Sequence, residues 1–261
     1  MGGREEASPP PRLVVLGSGP AEPTPGRMAS GYALVVPGGE VLQLDCGPGT
    51  TRRWPEHGLG FERLVGLLLT HHHLDHCGDL PYLRFLRRLL PGPARPVLCA
   101  GPVGHRALWN GLSTAFGEHV ADPEGAWSVR ELADGARLTV GPFEVAARAV
   151  QHIPGALGYR VCVGGRSVAF SGDSARCEAL VDLCRQADLA LLECSHPAGR
   201  PSERHLSATD VARVALEARV ANLAVTHVGS GCRGVDVARQ IREAGYAGPL
   251  RLVRDGDVLD V

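Results

Sequence analysis

The hydrophobic pattern of the chain begins with three short apolar runs. Residues 12–17 (RLVVLG), 32–36 (YALVV) and 41–45 (VLQLD) have strand length, and glycine- and proline-rich segments separate them. LVGLLLT at 64–70 is apolar at successive positions, which predicts a strand covered on both faces. Shortly after it, GDLPYLRFLRRLL places Leu80, Leu83, Leu86, Leu89 and Leu90 at helical spacing. Arg84, Arg87 and Arg88 mostly fall between them and read as a solvated face. GHRALWNGLSTAF (104–116) predicts a helix, with strands near 128–131, 137–140 and 143–150. YRVCV (159–163) and SVAFSGD (167–173) read as a hairpin turning at Gly164–Gly165. Beyond that point helix and strand alternate. SARCEALVDLCRQ is helix, ADLALLEC strand, SATDVARVALEAR a helix with Ser207 as N-cap, and NLAVTH strand. VDVARQIREAG is a helix closed by glycine, and LRLVRDGDVLDV ends in strands. The class is α/β, with sheet faces that need helical cover.

Composition narrows the function classes. A chain of 261 residues with 44% hydrophobic content is ample for a core. No repeat and no dividing linker interrupts it, so residues 12–261 read as one domain behind a disordered tail at 1–11. The net charge of -1 excludes a globally basic nucleic-acid or membrane binder. No apolar run approaches membrane-spanning length, and MGGREEASPPP lacks an apolar signal core. The eight cysteines form no C-x-x-C pair and no zinc-finger spacing, which suits a reducing, cytoplasmic setting.

One cluster changes the picture. Residues 70–77 read THHHLDHC, four histidines and an aspartate between a buried strand and a helix. In open α/β sheets ligands bind outside the carboxyl ends of strands. Imidazole and carboxylate are the donors that hold zinc and similar ions. His71 and His73 alternate and can reach one ion from one side, while a tight turn can aim Asp75 and His76 at a second. His72 is out of register and reads as a bystander. Three more donors each follow an apolar run: His152, Asp173 and His227.

The ordered set T-H-x-H-x-D-H, then His152, Asp173 and His227, with LDCG (44–47) upstream, resembles the metallo-β-lactamase fold superfamily. The resemblance implies an αββα four-layer sandwich with a dinuclear metal site at the sheet edge. It implies that His71, His73 and His152 hold one metal, that Asp75, His76 and His227 hold the other, and that Asp173 bridges them. It also makes Asp45 the structural support of the histidine loop. Further motifs are similar to the ribonuclease Z-like branch: LGSGPAEPTPGRMASGY, GALGYR, FSGDS, and LLECSH followed by HLSATDVA. In that branch the residue matching His205 assists proton transfer near the scissile phosphate. Glu193 is expected to orient His205, whereas His196 reads as a bystander and His57, His105 and His119 have no evident role. The branch's long tRNA-gripping arm is missing, since only VCVGGRSVAF separates Arg160 from Ser171.

The implied activity is a dinuclear zinc-dependent phosphodiesterase, with manganese or iron as alternative metals. A hydroxide held between the ions would be the nucleophile, with Asp75 in the site and His205 as proton donor. The expected partner is a small phosphodiester or ester substrate rather than tRNA, and a homodimer is compatible with the sequence. Ester, thioester or lactone hydrolysis is the rival on the same site. A non-catalytic metal-binding protein would be expected to have lost a ligand, and none is lost here. A serine-nucleophile hydrolase is disfavoured because no G-x-S-x-G elbow is present.

Overall fold

The structure, a computed structural model, describes residues 9–89, 95–122 and 125–261. The first sheet contains β1 (Arg12–Gly17), β2 (Gly31–Val35), β3 (Val41–Leu44), β4 (Leu64–Leu68), β5 (Val97–Pro102) and β6 (Trp127–Leu132). The second contains β7 (Arg137–Val140), β8 (Phe143–Ala149), β9 (Leu157–Val163), β10 (Arg166–Phe170), β11 (Leu189–Cys194), β12 (Asn222–Val228) and β13 (Leu250–Leu252). The last strand, β14 (Val258–Asp260), returns to the first sheet and pairs antiparallel with β1. The spatial orders are β14-β1-β2-β3-β4-β5-β6 and β13-β12-β11-β10-β9-β8-β7. Helices α1 (Leu74–Cys77), α2 (Leu80–Leu89) and α3 (His105–Phe116) lie with the first sheet. Helices α4 (Glu178–Cys184), α5 (Ala208–Ala218) and α6 (Val237–Glu243) cover the second. The result is the expected αββα sandwich.

Strand alternation explains the layers. Leu13 and Val15 of β1 point between the sheets, whereas Val14 and Leu16 point toward the first helical layer. Leu189 and Leu191 of β11 do the same against Ala190, Leu192 and Cys194. Strands apolar at every position are therefore covered on both faces. β3 to β6 run parallel to one another, as do β10 to β13, which gathers the carboxyl ends of β4, β10, β11 and β12 for a shared site. The β9–β10 connection is a two-residue turn, with Gly164 and Gly165 at φ 58° and 73°. No arm grows from it.

Several expectations need correction. β5 was not evident in the sequence, where glycine and proline end the run VLCAGP. α4 starts only at Glu178, because the Ser174 amide donates to Glu193 and the Ala175 amide to Gln151. Of the expected tail, residues 1–8 lie outside the described residues, as does Leu90, while Pro11 is buried and its carbonyl accepts the Val261 amide. The solvated arginine face holds only for Arg88. Arg84 and Arg87 are buried, and the Arg84 guanidinium lies 3.6 Å from the Trp109 ring centroid while donating to the Trp109 carbonyl and Ser113 Oγ. Its stem and its charge are both used in packing α2 against α3. Among the described residues, no helix is long and apolar enough to cross a membrane.

This packing sets the first expectation. Arg84→Ala should lower stability by ~2–4 kcal/mol, through lost packing and stranded acceptors, whereas Arg88→Ala should stay within about 0.5 kcal/mol. Urea unfolding of the two variants checks it, and equal midpoints would contradict the packing role.

Candidate metal centre

The site begins with a carboxylate that touches no solvent. Asp45 follows β3 with φ 56°, a left-handed conformation that aspartate tolerates better than most residues. One of its oxygens accepts the Thr70 amide (2.9 Å) and the Thr70 hydroxyl (3.0 Å). The other accepts the Ser30 hydroxyl (3.0 Å) and His76 Nδ1 (2.6 Å). The histidine loop is thereby tied to the ends of two other strands. Two glycines allow the close approach this needs. A Cβ at Gly47 would lie 2.1 Å from the Asp75 carbonyl, and one at Gly172 (φ 55°) would lie 2.7 Å from Thr70. Only glycine fits these positions without displacing the loop.

Hydrogen bonds set the imidazole tautomers. His152 Nδ1 faces the Arg204 carbonyl at 3.0 Å, and a carbonyl only accepts, so Nδ1 carries the hydrogen and Nε2 keeps its lone pair. His76 is fixed the same way by Asp45. His71 Nδ1 lies 3.0 Å from Thr70 Oγ1, which leaves its Nε2 free as well. Burial, reinforced by the neighbouring His76, pushes the pKa of His71 down to about 2, so its ring is neutral and ready to donate a lone pair. His227 is the extra residue in a bulge of β12 opposite Glu193–Cys194, with φ 47°, and its amide donates to the Ser18 carbonyl. The bulge aims the ring into the cleft.

The donors converge in two groups. His71 Nε2 and His152 Nε2 lie 3.0 and 3.3 Å from His73 Nδ1, and His152 Nε2 lies 3.9 Å from Asp173 Oδ2. On the other side, His76 Nε2 and His227 Nε2 each lie 3.3 Å from Asp75 Oδ2, and 3.4 and 3.6 Å from Asp173 Oδ1. Within each group of four residues the donor atoms lie within 4.8 Å of one another. Asp173 is common to both and offers one oxygen to each. His76 Nε2 and Asp173 Oδ1 are buried without a hydrogen-bond partner in the protein, which is expensive unless a cation takes the lone pairs. The residues present therefore fit a pair of ions, and all seven donors expected from the sequence come together. Burial alone would raise the pKa of Asp75, but the facing imidazoles of His227 and His76 outweigh it and hold the carboxylate well below its usual range.

Beside the first group stands a histidine–glutamate pair. His205 Nδ1 donates to Glu193 Oε1 at 2.7 Å and lies 3.9 Å from Asp173 Oδ2, and its ring centroid is 4.9 Å from that of His152. Glu193 is buried, also accepts Ser174 N and Ser195 Oγ, and is pushed up in pKa by that burial. Burial would lower the pKa of His205, yet the hydrogen bond and charge of Glu193 raise it. The hydroxyls of Thr70, Ser30 and Ser195 and the amide of Ser174, which set these side chains, were not singled out from sequence, and only Thr70, leading the histidine motif, gave a signal. The other histidines stay outside. His72 turns away and stacks on His105 at 5.6 Å, and His105 contacts Cys99 Sγ. His196 is 6.1 Å from His205, ring to ring, His119 packs edge-on against Phe85, and His57 lies in the turn after Trp54.

A sandwich of this kind with two convergent His/Asp groups at its strand ends defines a metal-binding hydrolase class. Residues 41–228 match the family model described as the β-lactamase superfamily domain. The chain belongs to the metallo-β-lactamase superfamily and is ribonuclease Z-like within it. It is 34% identical to an uncharacterised protein of Mycobacterium leprae, covering 96% of this chain and 88% of that one. It is 32% identical to ribonuclease Z of Mycolicibacterium paratuberculosis, covering 82% of this chain and 85% of that one. Among solved structures it is similar to the metallo-β-lactamase fold protein YhfI of Bacillus subtilis, with TM-score 0.84 and 21% identity over 97% of this chain and 100% of that one.

The support geometry is open to a direct check. Asp45→Asn keeps the left-handed backbone accessible but puts an amide where acceptors are needed. We expect a loss of ~1–3 kcal/mol in stability, the range for a buried group left unsatisfied. Ring-nitrogen NMR should show His76 losing its fixed Nδ1–H tautomer. An unaltered His76 signal would remove Asp45 from the role of orienting it.

Proposed function

We propose that this protein is a dinuclear metal-dependent phosphodiesterase, with zinc as the favoured metal, acting on a small or exposed phosphodiester. The observation that carries the reading is Asp173, whose two oxygens each join a separate group of three further donors, with His205 beside them. His71, His73 and His152 would hold one ion, Asp75, His76 and His227 the other, and Asp173 both. Bound there, two divalent cations would acidify a water and neutralise charge developing on the phosphoryl group. Similarity to ribonuclease Z favours phosphorus over carbonyl carbon as the electrophile.

The chain's own groups complete the chemistry. Asp75 and Asp173 are held as acceptor-only carboxylates by the surrounding imidazoles. His205 presents its Nδ1–H to Glu193, so Nε2 is the nitrogen left to carry a transferable proton. Glu193 raises the pKa of the ring, so it holds that proton more firmly than a free imidazole and would pass it to the leaving-group oxygen as the P–O bond breaks. The hydrogen bond also fixes the ring plane beside His152. For folded RNA the support is poor. The β9–β10 turn carries no arm, and Arg84 and Arg87 are buried where a basic docking face would need them exposed.

Two measurements test this reading. Elemental analysis after reconstitution should find two ions per chain, and Asp75→Ala should lose one of them with nearly all activity while staying folded. A single ion in the wild type would rule out the dinuclear site. His205→Ala should keep both ions and lose roughly 10²–10⁴-fold in kcat on aryl phosphodiesters, the scale of a general acid. That loss should shrink as the leaving phenol becomes more acidic, and a uniform loss would reassign His205 to binding. Lactone, thioester and precursor-tRNA substrates run alongside decide the electrophile and the size of substrate accepted.

A further inference from the structure

We propose that Leu74 and Val103 form an apolar wall of the cleft that receives the non-reacting substituent of the substrate, selecting phosphodiesters that carry an aryl-sized uncharged group. The proposal rests on the phosphodiesterase reading and extends it to the substrate class. Among the described residues these are the two most exposed large hydrophobic side chains, at 78% and 70%. Both sit on strand-end loops at the candidate metal centre. Leu74 lies between the donors His73 and Asp75, as the first residue of α1, whose inward side is taken by His76 and Cys77. Val103 lies in the loop that joins β5 to α3.

The β5–α3 loop links the other two. A Cβ at Gly104 would lie 3.9 Å from His72 Cε1, and one at Gly155 would lie 3.7 Å from Pro102 Cβ. Val103 is thus carried between the histidine loop and the loop that bears His152, with exposed Pro154 on the latter. The 203–205 segment is of opposite character. It has Glu203 and Arg204 exposed and delivers His205 to the ionic part of the site. A single exposed leucine on a surface means little, but Leu74 between two donors and Val103 on the adjoining loop place apolar surface beside a polar cleft. A diester with its phosphate on the donor atoms and an apolar group on this wall would remove both side chains from water, and a methyl group would not.

The test separates the wall from the chemistry. Methyl para-nitrophenyl phosphate and phenyl para-nitrophenyl phosphate share a leaving group and differ only in the retained substituent. The metal-loaded wild type should favour the phenyl ester by ~10-fold or more in kcat/KM, mainly through KM. Leu74→Ser and Val103→Ser should each cut that ratio several-fold. Calorimetric binding of phenylphosphonate against methylphosphonate should show the same preference and the same loss. If neither ester is turned over, the phosphodiesterase reading fails, and the phosphonate ratio still decides the wall. Elemental analysis of Leu74→Ser checks for lost metal, and Val103→Ser, on a loop without donors, keeps the test decisive if metal is lost. Ratios unaffected in both variants overturn the proposal. So does light scattering that shows the substitutions splitting a dimer while the ratios hold, since the patch would then be a contact between copies.

Discussion

Everything at this site depends on burying carboxylates without an arginine. Asp45, Asp173 and Glu193 are almost fully enclosed and Asp75 is nearly so, yet among the described residues no arginine forms an ion pair with any of them. The chain has 27 basic residues, so the omission is selective. A buried negative charge must be matched by hydrogen bonds and opposite charge, or it protonates. Asp45 is matched by hydroxyls, an amide and His76, Glu193 by Ser174, Ser195 and His205, and Asp173 by imidazoles alone. An arginine fork would satisfy Asp173 permanently and close the site. Imidazoles satisfy it only in part and keep nitrogen lone pairs directed at the same space, which leaves the centre demanding a cation.

That demand determines what the fold has to do. The donors come from the ends of β4, β8, β10 and β12, in both sheets, and only sheets packed face to face with these strand ends at one edge can bring them within a few ångströms. Precision is added by local strain rather than by regular structure. Asp45 and His227 hold positive φ without being glycine, and a bulge at His227 breaks the β11–β12 register. Such conformations persist only where the surroundings over-determine them. Here the Ser18 carbonyl, the Thr70 amide and the His76 ring supply that determination.

This division explains what could be read in the amino-acid order. The seven donors were visible because each follows an apolar run, and strand ends are where such residues meet. Ser207 was visible as an N-cap because capping is local, and its reciprocal bonds with Asp210 form as expected. The support that Asp45 gives the histidine loop and the pairing of Glu193 with His205 were accessible only through resemblance, since nothing local joins residues 31 and 12 positions apart. Arg84 was misread for a related reason. Helical periodicity places it between leucines, but its burial depends on Trp109 of another helix. β5 went unseen because Gly101 and Pro102 in its last turn of chain look like punctuation, although both pair in register with β6.

The two-residue turn between β9 and β10 carries the last consequence. The seven candidate donors converge without any excursion there, and what an arm would add is contact area far from the donors. When remote contacts are absent, the binding energy that positions a substrate has to come from groups within a few ångströms of the reacting atoms. Those groups are the loops that also bear the donors, and any side chain on them is placed by the same hydrogen bonds that fix the imidazoles. Selectivity in this chain is thus coupled to the geometry of the centre itself. On the proposed reading, a rim substitution that shifts the histidine loop would disturb recognition and chemistry together, whereas one confined to the adjoining β5–α3 loop, which holds no donor, would change recognition alone.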